Sequence, residues 1–177
     1  MLYRFDGKQP IVGETSYVSE LASVIGEVII GEHCYIGHGA ILRGDYSRIE
    51  IGDGTSVEEG AVIHAPPNEV NRIGNHVTIG HGVMAHGKSI GDHALIGMGA
   101  VISVWSELGE WVAIGEGTVV KRGQIIASGM VAAGNPARII RELAQRDKEV
   151  SIKHNQLYMD TAKKYLRYGL EPVKARE

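Results

Sequence analysis

The chain has one cysteine, Cys34, one phenylalanine, and aromatic residues amounting to only 6% of its 177 positions. A single cysteine excludes an internal disulfide framework and any cysteine-rich zinc module, so a bound metal must rest on histidine or carboxylate ligands. With so few aromatics the core must be aliphatic, built from Val, Ile, Leu and Ala. No apolar run approaches the ~18 residues of a membrane span, and the opening MLYRFDGKQP lacks the apolar stretch of a secretory signal. A cytoplasmic protein with no membrane partner is expected. Excess positive charge is also missing: the net charge is -3 and the pI about 6.2. This argues against a nucleic-acid footprint, although the segment after Lys163 is locally basic.

Glycine, by contrast, is plentiful at 24 residues, and it is placed with a period. Ile-Gly begins at 25, 30, 36, 51, 73, 79, 90, 96 and 114. Ile90, Ile96, Ile102, Leu108, Ile114, Val120 and Ile126 keep an unbroken six-residue register. Earlier runs give Val24, Ile30, Ile36 and Leu42, then Ile51, Val57 and Ile63, then Ile73, Ile79 and Ala85. Four residues after each stands a small or β-branched residue, such as Val28, Cys34, Ala40, Thr55, Ala61, Val77 or Ala94. A period of six is neither 3.6 nor 2, so neither an amphipathic helix nor a half-exposed strand accounts for it. A short strand plus a turn, repeated, does, and three such units close a triangular coil. A Gly-rich antiparallel sandwich would not hold the register this long. The fold expected is a hexapeptide-repeat parallel β-helix from Val24 to about Val131, with two inward positions per hexapeptide. Glycine after the aliphatic residue is read as suiting awkward corner conformations, and Cys34 is read as core.

After Gly134-Asn135-Pro136 the period stops. ARIIRELAQRDKE reads as a short helix and SIKHNQLYMDTAKKYLRYG as a longer one, with Ser151 as N-cap and Gly169 as stop. Ile152, Met159, Ala162 and Leu166 form the stripe expected to pack on the β-helix. The division expected is therefore a β-helix over 1–134 and C-terminal α-helices over 135–177.

The register slips in three places: nine residues separate Leu42 from Ile51, ten separate Ile63 from Ile73, and five separate Ala85 from Ile90. Insertions in a solenoid become loops on one face, often the working face. Counting hexapeptides across these breaks stacks Arg43, His64 and His86 on one face, about 4.8 Å apart at the backbone. His81 falls on the neighbouring face, with Glu59 one coil below and His38 two below. Two stacked imidazoles can share a metal at about 2.0–2.1 Å, but His81 would have to reach round an edge. A neighbouring subunit of a trimer could supply it instead. His64, His81 and His86 are thus the candidate metal ligands. His33, His76 and His93 recur in Ile-Gly-x-His and read as solvated corners, and His154 reads as surface. Arg43 and Asp45, beside the first insertion, are read as either a salt-bridging support for the ligands or groups working on substrate.

LRGD at 42–45, IGDGTSVEEGAVIH at 51–64, IGHGVMAHG at 79–87, IGMGAVI at 96–102 and GNPARIIREL at 134–143 together resemble the γ-class carbonic anhydrases and their close relatives. The resemblance implies a left-handed β-helix with a C-terminal helix, assembled as a homotrimer with metal sites at the subunit interfaces. His64 and His86 would come from one chain and His81 from its neighbour. Zn2+ is the usual metal, with Fe2+ or Co2+ as alternatives. Arg43 would bridge subunits to Glu59, Asp45 would orient a group near the metal-bound water, and Glu58 stands where many members have Gln. Tyr158 matches a tyrosine overhanging the site. The implied reaction is reversible hydration of CO2 to bicarbonate by metal hydroxide. Departures are the loop APPNEVNR, acidic only at Glu69, and Tyr46 after Asp45, where proton-shuttling glutamates are expected. Proton release to buffer should then limit the rate. Relatives with such short loops include proteins named as thioesterases and carnitine-related proteins, which keeps an acyl-CoA thioesterase or acyltransferase, or a metal-bearing scaffold with little turnover, as the alternative.

Overall fold

The computed structural model describes residues 1–173, and it is a left-handed parallel β-helix followed by one strand that pairs with its last coil and one α-helix that lies back along one face. One face of the prism is an eight-stranded sheet. Its last strand, Arg138–Glu142, runs antiparallel to Met130–Ala133; the other seven are parallel, so the solenoid has seven levels. The other two faces merge into one twelve-stranded sheet, because Ser23–Ile30 and Ile41–Ile51 run round the corner between them. The solenoid starts earlier than the hexapeptide register does: Leu2–Tyr3 and Ile11–Val12 both pair with Ser23–Ile30.

Both inward positions of the repeat are buried as expected. Val24, Ile30, Ile36, Leu42, Ile63, Ile79, Ile96 and Ile102 are at most 2% exposed, and Val28, Cys34, Ala40, Thr55, Ala61 and Val77 are fully enclosed. Burial pushes the Cys34 thiol up to about 11, in keeping with a core residue. The corner glycines, however, serve two different purposes. Left-handed backbone belongs to the fourth position of each unit, at Gly39, Gly54, Gly82 and Gly99 but equally at His33, His76, His93, Trp105 and Trp111. The glycine directly after the aliphatic residue has ordinary φ. It is required by space, since a Cβ on Gly91 would lie 2.5 Å from the backbone nitrogen of Glu110 in the next coil. The third of these corner histidines is not simply solvated: His93 is half-buried, its ring stacked between His76 and Trp111 at 5.2 and 4.2 Å. His76 is half-buried likewise, and only His33 is exposed.

The C-terminal segment departs from expectation. The short helix expected over 137–149 is absent; its first half is the strand Arg138–Glu142, and a single helix runs from Gln145 to Tyr168. The last coil offers an unpaired strand edge, and pairing with it overrides helix propensity. Ala144, not Ser151, is the N-cap, and Asp147 accepts the Ala144 N–H at 2.9 Å. Ser151 is instead buried inside the helix, while Gly169 ends it as expected. The packed face is also rotated from the expected stripe. Ile152 and Leu166 are about half exposed, and only Ala162 of that set is buried. The face that meets the sheet carries Ser151, Asn155, Tyr158, Ala162 and Tyr165, with Tyr165 stacked on Tyr17 at 4.7 Å. Residues 174–177 of the expected 135–177 segment lie outside the described residues.

Candidate metal centre

Two separate edges of the prism carry the polar groups singled out in the sequence. The first is the corner after Ile41, Val62 and Met84, where the strands align Arg43 with His64 and continue to His86. The rings of His64 and His86 lie 4.7 Å apart. The expected ladder is therefore present. An Arg43 guanidinium nitrogen lies 3.3 Å from His64 Nδ1 while another holds Asp45 Oδ2 at 2.5 Å, and His64 Nε2 meets Asp45 Oδ1 at 2.8 Å. Within one chain Arg43 thus serves Asp45 and His64 rather than Glu59. Burial works against ionising Asp45, but hydrogen bonds from His64 and Arg43 and the Arg43 charge outweigh it and hold the carboxyl below its usual range. Tyr46 covers the ladder from outside, its ring 4.9 Å from that of His64. His86 Nε2 is buried and has no hydrogen-bond partner. Burial, and secondarily the charge of His64, lower the His86 pKa, so the ring is neutral at physiological pH.

The second edge holds His81. Its Nδ1 lies 2.8 Å from Glu59 Oε2, and the other Glu59 oxygen accepts the Tyr35 hydroxyl at 2.6 Å. Its Nε2 faces Glu58 Oε2 at 3.2 Å and the Tyr158 hydroxyl at 3.3 Å. Burial, reinforced by the charges of Glu58 and Glu59, raises the Tyr158 pKa, so this hydroxyl keeps its proton. Glu58 is only 2% exposed. Its Oε2 accepts the His81 backbone N–H at 3.2 Å, and its Oε1 lies 3.0 Å from His154 Nε2. His154 is therefore not merely a surface residue; it is the partner of the most buried carboxylate in this cluster. Nothing in the sequence marks it, because its place depends on the phase of a helix whose packed face is polar. Glu58 did carry a signal: it interrupts a column of glycines, Gly37, Gly80, Gly97 and Gly115, at the same corner.

The structure thus places Arg43, Asp45, His64 and His86 at one edge and Glu58, His81 and Tyr158 at another. Among the described residues of one chain, no group of three or more His, Cys, Asp or Glu is positioned to hold a metal ion. Beside the second edge a cavity of about 370 Å³ runs between helix and sheet, with Glu58, His81 and His154 at one end and Leu95, Ile114 and Val150 among its apolar walls. No helix among the described residues is long and apolar enough to cross a membrane.

The fold is that of a hexapeptide-repeat β-helix protein, with histidine clusters on two of its edges. No family model matches the chain, but similarity to individual proteins is extensive. It is 36% identical over 165 residues to a protein of Geobacillus kaustophilus named carbonic anhydrase, covering 93% of this chain and 91% of that one. It is 31% identical over 176 residues to the mitochondrial gamma carbonic anhydrase 1 of Arabidopsis thaliana, covering 96% of this chain and 64% of that one. A solved structure from Anaplasma phagocytophilum, described as a hexapeptide transferase family protein, superposes with a TM-score of 0.88 at 32% identity over 93% of this chain and 97% of that one. The chain belongs to the γ-class carbonic anhydrase family.

Proposed function

We propose that the protein is a metal-dependent carbonic anhydrase of γ type, a lyase that reversibly hydrates CO2 to bicarbonate, working as a homotrimer. The observation that carries this reading is the buried, unpartnered Nε2 of His86 stacked against His64 on one edge, while His81 on the other edge has its Nδ1 committed to Glu59. A buried ring nitrogen without a partner is costly, and a metal ion supplies the partner. Glu59 accepting from Nδ1 favours the His81 tautomer that leaves Nε2 as the electron-pair donor, provided Glu58 Oε2 gives up its 3.2 Å contact with that nitrogen. His64, His86 and His81 of a neighbouring subunit would hold the ion. For His64 to ligate through Nε2, Asp45 must give up its bond to that atom and is then free to hold a water. Three neutral imidazoles suit Zn2+, Fe2+ or Co2+ alike. Such an ion supplies Lewis acidity, which lowers the pKa of water to about 7, a value general to carbonic anhydrases.

The chain's own groups do the rest. Glu58 and Asp45 orient the attacking water, Tyr158 overhangs His81 and keeps its proton, and Arg43 holds Asp45 in place. The apolar walls beside His81 exclude water around CO2. Stopped-flow CO2 hydration by metal-loaded protein, with and without a small imidazole buffer, tests this. Hydration above background that is lost in His86→Ala is expected; no hydration in either condition overturns the reading.

The 370 Å³ apolar cavity beside Glu58, His81 and His154 favours a second reading, in which the site takes an acyl or thioester group. A panel of acyl-CoA substrates, run with and without chelator, separates the two.

A further inference from the structure

We propose that the cavity between the helix and the eight-stranded sheet is a binding site for a neutral linear acyl compound, an ester, thioester or amide, whose carbonyl oxygen accepts from the Thr78 hydroxyl. The inference deepens the acyl reading of that cavity and rests on it for the choice of a carbonyl compound, but it concerns binding rather than turnover. Parallel pairing sets Thr78, Leu95, Ala113 and Val131 in one column on successive strands. Their neighbours Ile79, Ile96, Ile114 and Ala132 point inward and fill the core, so the column faces out, under the helix. Three strand spacings, about 14 Å, separate its ends. The helix packs closely on the strands Tyr17–Val18, Tyr35–Ile36, Ser56–Val57 and Thr78–Ile79. Beyond Thr78 it does not close on the sheet. Leu95, Ala113 and Val131 stay half-buried, Val150 of the helix is 62% exposed, and the cavity of about 370 Å³ lies between them. This is the size of a small-molecule site.

The chemistry of the lining selects the ligand. Thr78, on the strand that leads to His81, borders the cavity; it is 1% exposed, and its hydroxyl has no hydrogen-bond partner. A buried hydroxyl left unpaired is costly, and a bound acceptor removes that cost. A water could serve Thr78, but it would leave the apolar length beyond without an occupant, since a buried water needs two or more polar partners of its own. Among the described residues that line the cavity there is no Lys or Arg. A carboxylate or phosphate head therefore finds neither an ammonium nor a guanidinium there, and burying such a charge unpaired is expensive. A carbonyl needs only a donor. With its oxygen on Thr78, the chain runs along Leu95, Ala113 and Val131 beneath Val150, and apolar surface on both sides leaves water.

The probe is octanamide, with octanoate as its charged counterpart, titrated into the full-length protein with its methyl groups labelled for NMR. Octanamide should shift the methyl signals of Leu95, Val131 and Val150 saturably and bind about tenfold or more tighter than octanoate. Thr78→Val, which keeps the shape but not the hydroxyl, should weaken octanamide about fivefold. Ser56→Ala is the control: it removes a second buried, unpartnered hydroxyl of the same column that does not border the cavity, and it should leave binding unchanged. Ala113→Leu, which fills the space, should abolish binding while the circular dichroism stays that of the wild type. No methyl shifts with octanamide, equal binding of octanoate, or wild-type binding by Thr78→Val overturns the proposal. The acyl-CoA panel decides the reaction separately. Octanamide binding without acyl-CoA turnover overturns the acyl reaction and leaves the binding site standing, whereas turnover without octanamide binding overturns this site alone.

Discussion

Arg43, His64, His86 and Glu58 each depart from a local rule of the repeat. Directly after the inward aliphatic residue most corners take glycine, because the next coil's backbone leaves no room for a Cβ. At the corner carrying the ladder that slot is never glycine: Ile25, Arg43, His64, His86, Ser103 and Lys121 occupy successive levels. The register breaks at 42–51, 63–73 and 85–90 all follow this corner, so the chain there does not make the tight turn. This is why the ladder could be counted from sequence alone. Glu58 was singled out through the family resemblance, although its place as a carboxylate in a glycine column also marks it, but its partner His154 was not, since 96 residues separate them and only helix phase joins them. Residue-scale chemistry also gives a graded test of metal binding. His81→Ala should lose the metal, Glu59→Ala should weaken affinity about 10- to 100-fold by freeing the His81 tautomer, and His93→Ala should change nothing. Metal analysis after dialysis against graded chelator reads all three, and equal metal in wild type and His81→Ala would disprove the ligand assignment.

The elements of the solenoid were legible because every coil repeats the same burial demand, which multiplies one weak signal many times. The C-terminal elements had no such repetition. Ile139 and Ile140, both exposed, suggested a helix by composition, yet the open edge after Met130–Ala133 claimed them as a strand. Hydrophobic patterning also misplaced the helix face, because the sheet beneath presents Tyr17, Tyr35, Glu58 and the Gly54 carbonyl, which are met by tyrosine, histidine and asparagine rather than leucine. The strand and helix are joined by Asp147, which caps Ala144 and pairs with Arg141 at 2.5 Å. The Arg141 hydrogen bond, then that from Ala144, hold the Asp147 carboxyl below its ordinary range. A carboxyl depressed in the folded state stabilises above its unfolded pKa of about 4 and loses that contribution as pH falls through the folded value. Asp147→Asn keeps an acceptor for Ala144 but not the charge. Denaturation from pH 7 to pH 3 should therefore show wild type the more stable at neutral pH, with the gap closing below about pH 4. A gap independent of pH would assign the effect to the hydrogen bond instead.

At the scale of the whole molecule, His64 and His86 lie on one edge of the prism and His81 on another, so under the proposed reading a second copy is needed to bring them together. The ladder edge also carries a surface through which the proposed trimer would associate. Outward from the core, Ile41, Val62, Met84, Val101 and Val119 align across successive strands next to Arg43, His64 and His86. Ile41, Met84 and Val101 are 38%, 50% and 36% exposed in the single chain. A continuous apolar stripe on a sheet face is the kind of surface that oligomers cover, and rotational symmetry would set each stripe against the same neighbouring edge three times over. Covering it would bring His81 of one subunit toward His64 and His86 of the next, so assembly and metal binding should be linked. Met84→Glu, a charge placed in the middle of the stripe, should leave the coil core and the circular dichroism unchanged. Light scattering should nonetheless find the 19.1 kDa chain as monomer where the wild type is three times that mass, and the monomer should retain little metal. Added metal should in turn shift the variant back toward trimer, because an ion that binds only the assembled site stabilises it by mass action. A monomeric variant with full metal content would show that one chain suffices, and the split-site assignment would fall with it.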